Sequence, residues 1–251
     1  MQNKLSCVAI VLRRWPYSES SLVFRALTPQ LGTVSVLAKG VHKLKSGKIG
    51  VIDTWALVEL DISRRPKAEM FNLVGCKLLD RMGGLSENVQ RLNVAGILAE
   101  LAEAGAPTEQ ASHQVFLWLQ RWLQRLAEGG DHNIILTRAI LEILELLGFA
   151  PVFPEKIEFE RYWFSPADGG CHLNGSAPRP NQSARRAAAN EIASLKEIMT
   201  ADDTNLPNDL GNLPACITLL GDFLHYHLER LPKAWEMYLK SEMSNNQGNS
   251  H

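Results

Sequence analysis

The chain has 251 residues, 45% hydrophobic and 21% charged, with a formal net charge of −1, the composition of a soluble globular protein with one large core or two smaller ones. No run of about 18 uncharged apolar residues occurs, which argues against a membrane-spanning helix, and Met1–Ser6 opens no secretory signal. Cys7, Cys76, Cys171 and Cys216 form no CxxC pair, so free thiols and a cytoplasmic setting are expected.

Charge is unevenly placed. Residues 1–80 carry 12 Lys and Arg against 6 Asp and Glu, a balance of +6, whereas the other 171 residues carry 14 against 21, a balance of −7. A basic part within a near-neutral chain is a cue for nucleic-acid or membrane contact.

The first 80 residues have strand chemistry. Leu5–Arg14 is β-branched and apolar and ends at Trp15-Pro16. Leu22–Thr28 is a second run, closed by the turn sequence Pro29-Gln30-Leu31-Gly32. Thr33-Val34-Ser35-Val36 alternates as a half-buried strand does. Trp55–Ile62 sets Val58, Leu60 and Ile62 opposite Glu59 and Asp61, and Met70–Leu78 is a fifth run. Five short strands separated by turns imply a small antiparallel barrel, either an OB-fold or an SH3-like barrel.

From Ser86 the period changes to that of helices. Val115, Trp118, Leu119, Trp122 and Leu126 form an amphipathic stripe after Pro107-Thr108 and before Gly129-Gly130. Asp131 is placed to cap a helix over Asn133–Leu147 that is apolar on most faces and therefore central, with Gly148 at its end. Ser183–Thr200 has helical composition, Pro214 can open a helix running through His227, and Pro232 suits the first turn of a last short one. Residues 149–182 form an irregular insertion rich in Gly and Pro, and residues 243–251 a polar, disordered tail. The expected division is a barrel over 1–80, a helical domain over 81–148 and 183–242, and the insertion between its two parts.

Candidate chemistry lies in the basic half. Lys39, Lys43, Lys45 and Lys48 lie in a ten-residue loop without an acid, between the third and fourth strands. Arg64, Arg65 and Lys67 form a second basic turn, and Arg13 and Arg14 adjoin Trp15 and Tyr17. Cations beside aromatic rings suit single-stranded nucleic acid, whose phosphates are neutralised while bases stack. A solvated charged loop is the competing interpretation. His225 and His227 are two residues apart on a helix and point to different faces, and Cys171-His172 has no CxxC partner, so no metal site is expected. No GxSxG, HExxH, GxxxxGK[ST] or GxGxxG motif is present, and no enzyme is expected.

The series Ala9-Ile10-Val11-Leu12, Tyr17-Ser18-Glu19-Ser20, Leu27-Thr28-Pro29-Gln30-Leu31-Gly32 and Ala38-Lys39-Gly40-Val41 resembles the N-terminal domain of the bacterial RecO recombination-mediator proteins. Leu144–Pro151 resembles that family's central helix and its exit, Phe164–Cys171 a remnant of its zinc-ribbon insertion, and Tyr226-His227-Leu228 with Lys233 its C-terminal helix pair.

The resemblance implies an α+β protein: a five-stranded OB-fold barrel followed by an α-helical domain with a degenerate zinc-ribbon-like insertion. It implies binding to single- and double-stranded DNA, strand annealing, and loading of the RecA recombinase onto DNA coated with single-strand binding protein, together with RecR. An adaptor role, holding RecR or single-strand binding protein with weak DNA binding, is the alternative. The DNA contacts carried over are Arg13, Arg14, Lys39, Lys43, Lys45, Lys48, Arg64, Arg65 and Lys67, and Arg138 would meet the acidic C-terminal tail of single-strand binding protein. Many members hold zinc with four insertion cysteines. Here Pro151–Asn174 retains only Cys171, so the resemblance implies an insertion without metal, packed on Phe153, Phe159, Tyr162, Trp163 and Phe164.

Overall fold

The computed structural model describes residues 3–41, 51–106, 109–172, 184–202, 205–207 and 210–248. Five strands, β1 (Asn3–Ser18), β2 (Ser21–Thr28), β3 (Gly32–Ala38), β4 (Leu57–Arg64) and β5 (Phe71–Asp80), close a barrel in the order β1-β2-β3-β5-β4. β1 serves two neighbours: Asn3–Ile10 pairs with β4, and Ile10–Ser18 pairs with β2. The β3–β5 contact is parallel and the other pairs antiparallel. This is the OB-fold arrangement, and it resolves the choice of barrel left open by strand count. Alternation in β3 turns Val34 and Val36 inward, where they meet wholly buried Phe24, Val58, Leu60 and Ile62.

β1 continues past Trp15-Pro16, where the sequence places its end. Pro16 stands opposite Leu22 beside a register irregularity between Pro16 and Ser18, a position that tolerates a residue without an N–H. Trp55 lies outside β4 in a left-handed backbone conformation, φ 66°. Its ring packs against the helical core.

Among the described residues six α-helices follow: α1 (Val89–Gly105), α2 (Glu109–Ala127), α3 (His132–Leu146), α4 (Ala189–Thr200), α5 (Leu213–Leu228) and α6 (Ala234–Gly248). Asp131 caps α3, its carboxylate accepting from the N–H groups of Asn133 and Ile134, and Gly148 beyond the helix end has φ +81°. α3 packs against α1, α2, α4 and α5, as its apolar faces require. The α2 stripe Val115, Trp118, Leu119, Trp122 and Leu126 is buried. Ile10, Leu12, Leu27 and Leu57 of the barrel belong to the helical core cluster, so barrel and helices share apolar packing.

Between α3 and α4 the insertion contains a three-stranded sheet in the order β7-β6-β8: β6 (Arg161–Ser165), β7 (Gly170–Cys171) and β8 (Arg185–Ala188). It extends to residue 188, so a helix beginning at Ser183 is corrected to a strand over Arg185–Ala188 followed by α4. β6 supplies the reason: it pairs with Arg185–Ala188 in regular register, and the Glu191 carboxylate accepts from the Ala188 N–H to start the helix. Tyr162 and Phe164 are buried, Phe164 lying 6.2 Å from Phe153 and 5.5 Å from Phe223 between ring centroids.

Of the disordered tail expected over residues 243–251, α6 covers the part through Gly248, and residues 249–251 lie outside the described residues. Glu242 anchors its later turns, accepting from Asn133 Nδ2 at 3.0 Å and lying 3.1 Å from His132 Nε2. Asn93 Nδ2 donates to Ser241 Oγ at 3.1 Å.

Candidate nucleic-acid interface

The turn joining β4 to β5 gathers three expected contacts. Arg64, Arg65 and Lys67 are exposed and line a cleft of about 530 Å³, with Leu5, Leu31, Pro66 and Phe71 as its apolar lining. All the charged residues lining this cleft are cations. The Arg64 guanidinium lies 4.7 Å from the centre of the Phe71 ring, a stacking that keeps both groups in place. Lys67 has φ 67°, a strained conformation for a residue with a side chain. Leu5, Leu31 and Phe71 are apolar residues from three parts of the barrel, and their convergence was not visible in the sequence.

Lys39 is exposed at the end of β3, and Gly40 beside it takes φ +67°, which lets the chain leave the strand sharply. Lys43, Lys45 and Lys48 lie outside the described residues. Both ends of their loop are fixed. Val41 is buried in the barrel core before it and Ile52 after it. Arg14 donates to the Ile52 carbonyl at 2.7 Å and pairs with Asp53 at 3.0 Å, and Arg81 approaches the same carboxylate at 3.7 Å.

Arg13, Trp15 and Tyr17 alternate along β1, with Trp15 39% and Tyr17 60% exposed and the Arg13 guanidinium 5.7 Å from the Trp15 ring. Arg13 also pairs with Glu103 of α1 at 2.9 Å, and Arg25 of β2 lies 2.8 Å from the same oxygen. Arg13 and Arg14 are therefore engaged within the molecule. The β2–β3 hairpin packs on α2, and Ser112 Oγ donates to the Pro29 carbonyl at 3.0 Å. Helix α2 thus occupies part of the strand 2–3 region that OB-folds use for oligonucleotides, whereas the turn between strands 4 and 5, which they also use, is exposed. The basic turn and Lys39 lie toward opposite ends of β1: Arg64 pairs with Asn3, and Ala38 pairs with Leu22, which itself faces Pro16.

Arg138 is half-buried on α3, one turn before Glu142. The Glu142 carboxylate pairs with Arg121 and accepts from Trp122 Nε1 at 2.8 Å, and Trp118 Nε1 donates to the Ala139 carbonyl at 3.1 Å. The two tryptophans are therefore core residues with satisfied N–H groups.

Burial pushes the thiols of Cys171 and Cys216 up to about 12, so both are protonated and inert at neutral pH. His172 Nε2 lies 2.9 Å from the Asp168 carboxylate. Among the described residues no group of three or more His, Cys, Asp or Glu side chains could hold a metal ion. No helix among the described residues is long and apolar enough to cross a membrane.

Two family models match the chain: one described as Recombination protein O N terminal over residues 1–82, the other as Recombination protein O C terminal over residues 86–236. The break between them falls in the short 3-10 turn Gly83–Glu87 that joins barrel to helices. The DNA repair protein RecO of Anaeromyxobacter sp. is 26% identical over 245 residues, covering 92% of this chain and 93% of its own. That of Nocardioides sp. is 27% identical over 239 residues, 88% of this chain and 93% of its own. That of Syntrophus aciditrophicus is 24% identical over 178 residues, 68% of each chain.

Proposed function

The chain belongs to the Recombination protein O family, with a role in DNA repair and recombination, and from that premise we propose that it is a non-catalytic recombination mediator. It binds single- and double-stranded DNA through its barrel, anneals strands, and with RecR helps load RecA onto DNA coated with single-strand binding protein. The observation that carries the DNA contact is the cleft at the turn between β4 and β5, where Arg64, Arg65 and Lys67 surround an apolar lining containing Phe71. Cations neutralise backbone phosphate, and the half-buried Phe71 and the apolar wall offer contact to an unstacked base. Lys39, Lys43, Lys45 and Lys48 supply further phosphate contacts. Arg138 serves the tail of single-strand binding protein.

The test is a salt titration of labelled oligothymidine and of a duplex, read by fluorescence anisotropy. Neutralising about four phosphates on a single strand gives a log–log slope near −3. Replacing Arg64, Arg65 and Lys67 together with glutamine should weaken binding by roughly tenfold or more and flatten the slope by about 2, at about 0.7 per phosphate contact. Affinity indifferent to salt, or unchanged in the triple variant, would refute the assignment.

A second reading, an adaptor that chiefly holds RecR or single-strand binding protein, is favoured by the −7 balance of residues 81–251, which repels DNA and leaves that half to protein contacts. It predicts that the triple variant keeps its partner affinity and its cellular function despite weakened DNA binding.

A further inference from the structure

Arg13 on β1 and Arg25 on β2 are directly opposite one another in the strand register. Like charges in facing positions repel, so such a pair is stable only with an anion between them. The anion here comes from the helical half: one oxygen of Glu103 lies 2.9 Å from Arg13 Nη2 and 2.8 Å from Arg25 Nε. Its fit is incomplete. Arg25 Nε is buried and makes no aligned hydrogen bond despite that short distance. A single carboxylate oxygen is thus shared by two guanidinium groups that together present more donors than it can satisfy. Phosphate offers more oxygens and matches guanidinium geometry as well as a carboxylate does.

The place is reachable. Arg13 and Glu103 line a cleft of about 350 Å³ between barrel and helices, together with Trp55, Arg230 and Lys233. The Arg13 side chain is 55% exposed. Glu100, the other acid of the cleft, is committed elsewhere, because its carboxylate accepts from the N–H groups of Lys233 and Ala234 at the start of α6.

We propose that Glu103 is the built-in occupant of an anion site formed by Arg13 and Arg25, and that a backbone phosphate of single-stranded DNA displaces it. The carboxylate holds the barrel arginines in place while DNA is absent and lowers affinity by competing with the strand. This rests on the DNA-binding role proposed above and adds a site outside the β4–β5 cleft.

The test compares oligothymidine binding by the wild-type chain, Glu103→Gln, Arg13→Gln and the double variant across a salt series. Glu103→Gln should bind roughly three- to tenfold more tightly, with a log–log slope steeper by about 0.7 for each phosphate gained. Arg13→Gln should weaken oligothymidine binding on its own and should cancel the gain of Glu103→Gln in the double variant. Unchanged affinity in Glu103→Gln overturns the proposal. So does a gain that survives Arg13→Gln, because it would come from the lost charge acting at long range. If Glu103→Gln does not fold, Glu103→Asp, which keeps the charge but draws it back by one methylene, should show a smaller gain in the same direction, and no gain overturns the proposal. Wild-type protein that fails to bind oligothymidine refutes the DNA-binding role itself; wild-type binding without a Glu103 effect refutes only this inference.

Discussion

His227 is stacked on Phe149 at 4.5 Å and packs tilted against Phe223 at 4.6 Å between ring centroids, with Nε2 buried and without a hydrogen-bond partner. Burial lowers its pKa below 6.5, partly offset by a hydrogen bond to the Pro166 carbonyl. The unfolded chain therefore takes up this proton at a higher pH than the folded one. Stability from the neutral ring is complete above about pH 6.5 and is lost as pH falls through that value toward the lower folded pKa. Urea midpoints at pH 7.5 and 5.5 should differ in that direction, and His227→Phe, which keeps the stack, should narrow the difference; an equal drop in the variant would assign it to other groups. At this scale the sequence was legible only where residues are contiguous. Arg64, Arg65 and Lys67 stood out as a run, but Phe71 and Leu31 are ordinary apolar positions until the barrel brings them to the same cleft. Glu103 is 90 positions from Arg13 and carries no mark of its pairing.

Among the elements, α6 departs furthest from what its composition implies. The residues from Ser244 on are polar, which is why a disordered tail was expected over residues 243–251, yet α6 is helical through Gly248, and its side chains up to Glu242 tie it to α1 and α3. Tyr238 donates to Asn133 Oδ1 at 2.6 Å, Asn133 donates in turn to Glu242, and Asn93 donates to Ser241. Tyr238 is buried, and burial raises its pKa, so the phenol stays neutral and keeps its proton for that bond. Tyr238→Phe leaves the Asn133 oxygen without this donor and should cost about 1–2 kcal/mol of folding stability, measured by urea unfolding. A similar logic explains β8. Its sequence Arg-Arg-Ala-Ala favours helix, and only pairing with β6 holds it extended. The barrel strands, α2, α3 and α5 were legible because alternation, stripe and caps are local signals; β8 and the docking of α6 through Tyr238, Ser241 and Glu242 depend on partners distant in sequence.

For the whole molecule, the break between the two family models is a boundary in sequence but not in packing. Ile10, Leu12, Leu27 and Leu57 are barrel residues buried in the helical core, so the barrel cannot separate without exposing them. Calorimetry of the full chain should give one cooperative transition; two resolved transitions would show that the halves melt independently. The way α6 closes over α1 also imposes an order in time. Asn93 of α1 waits for Ser241, 148 residues further along the chain. At roughly 5–20 residues per second of synthesis, α1 leaves the ribosome about 7–30 seconds before the helix that covers it. During that interval one side of the helical core is bare. The newborn protein passes through a stage in which its barrel is complete but its apolar interior is open to chaperones and to neighbouring chains.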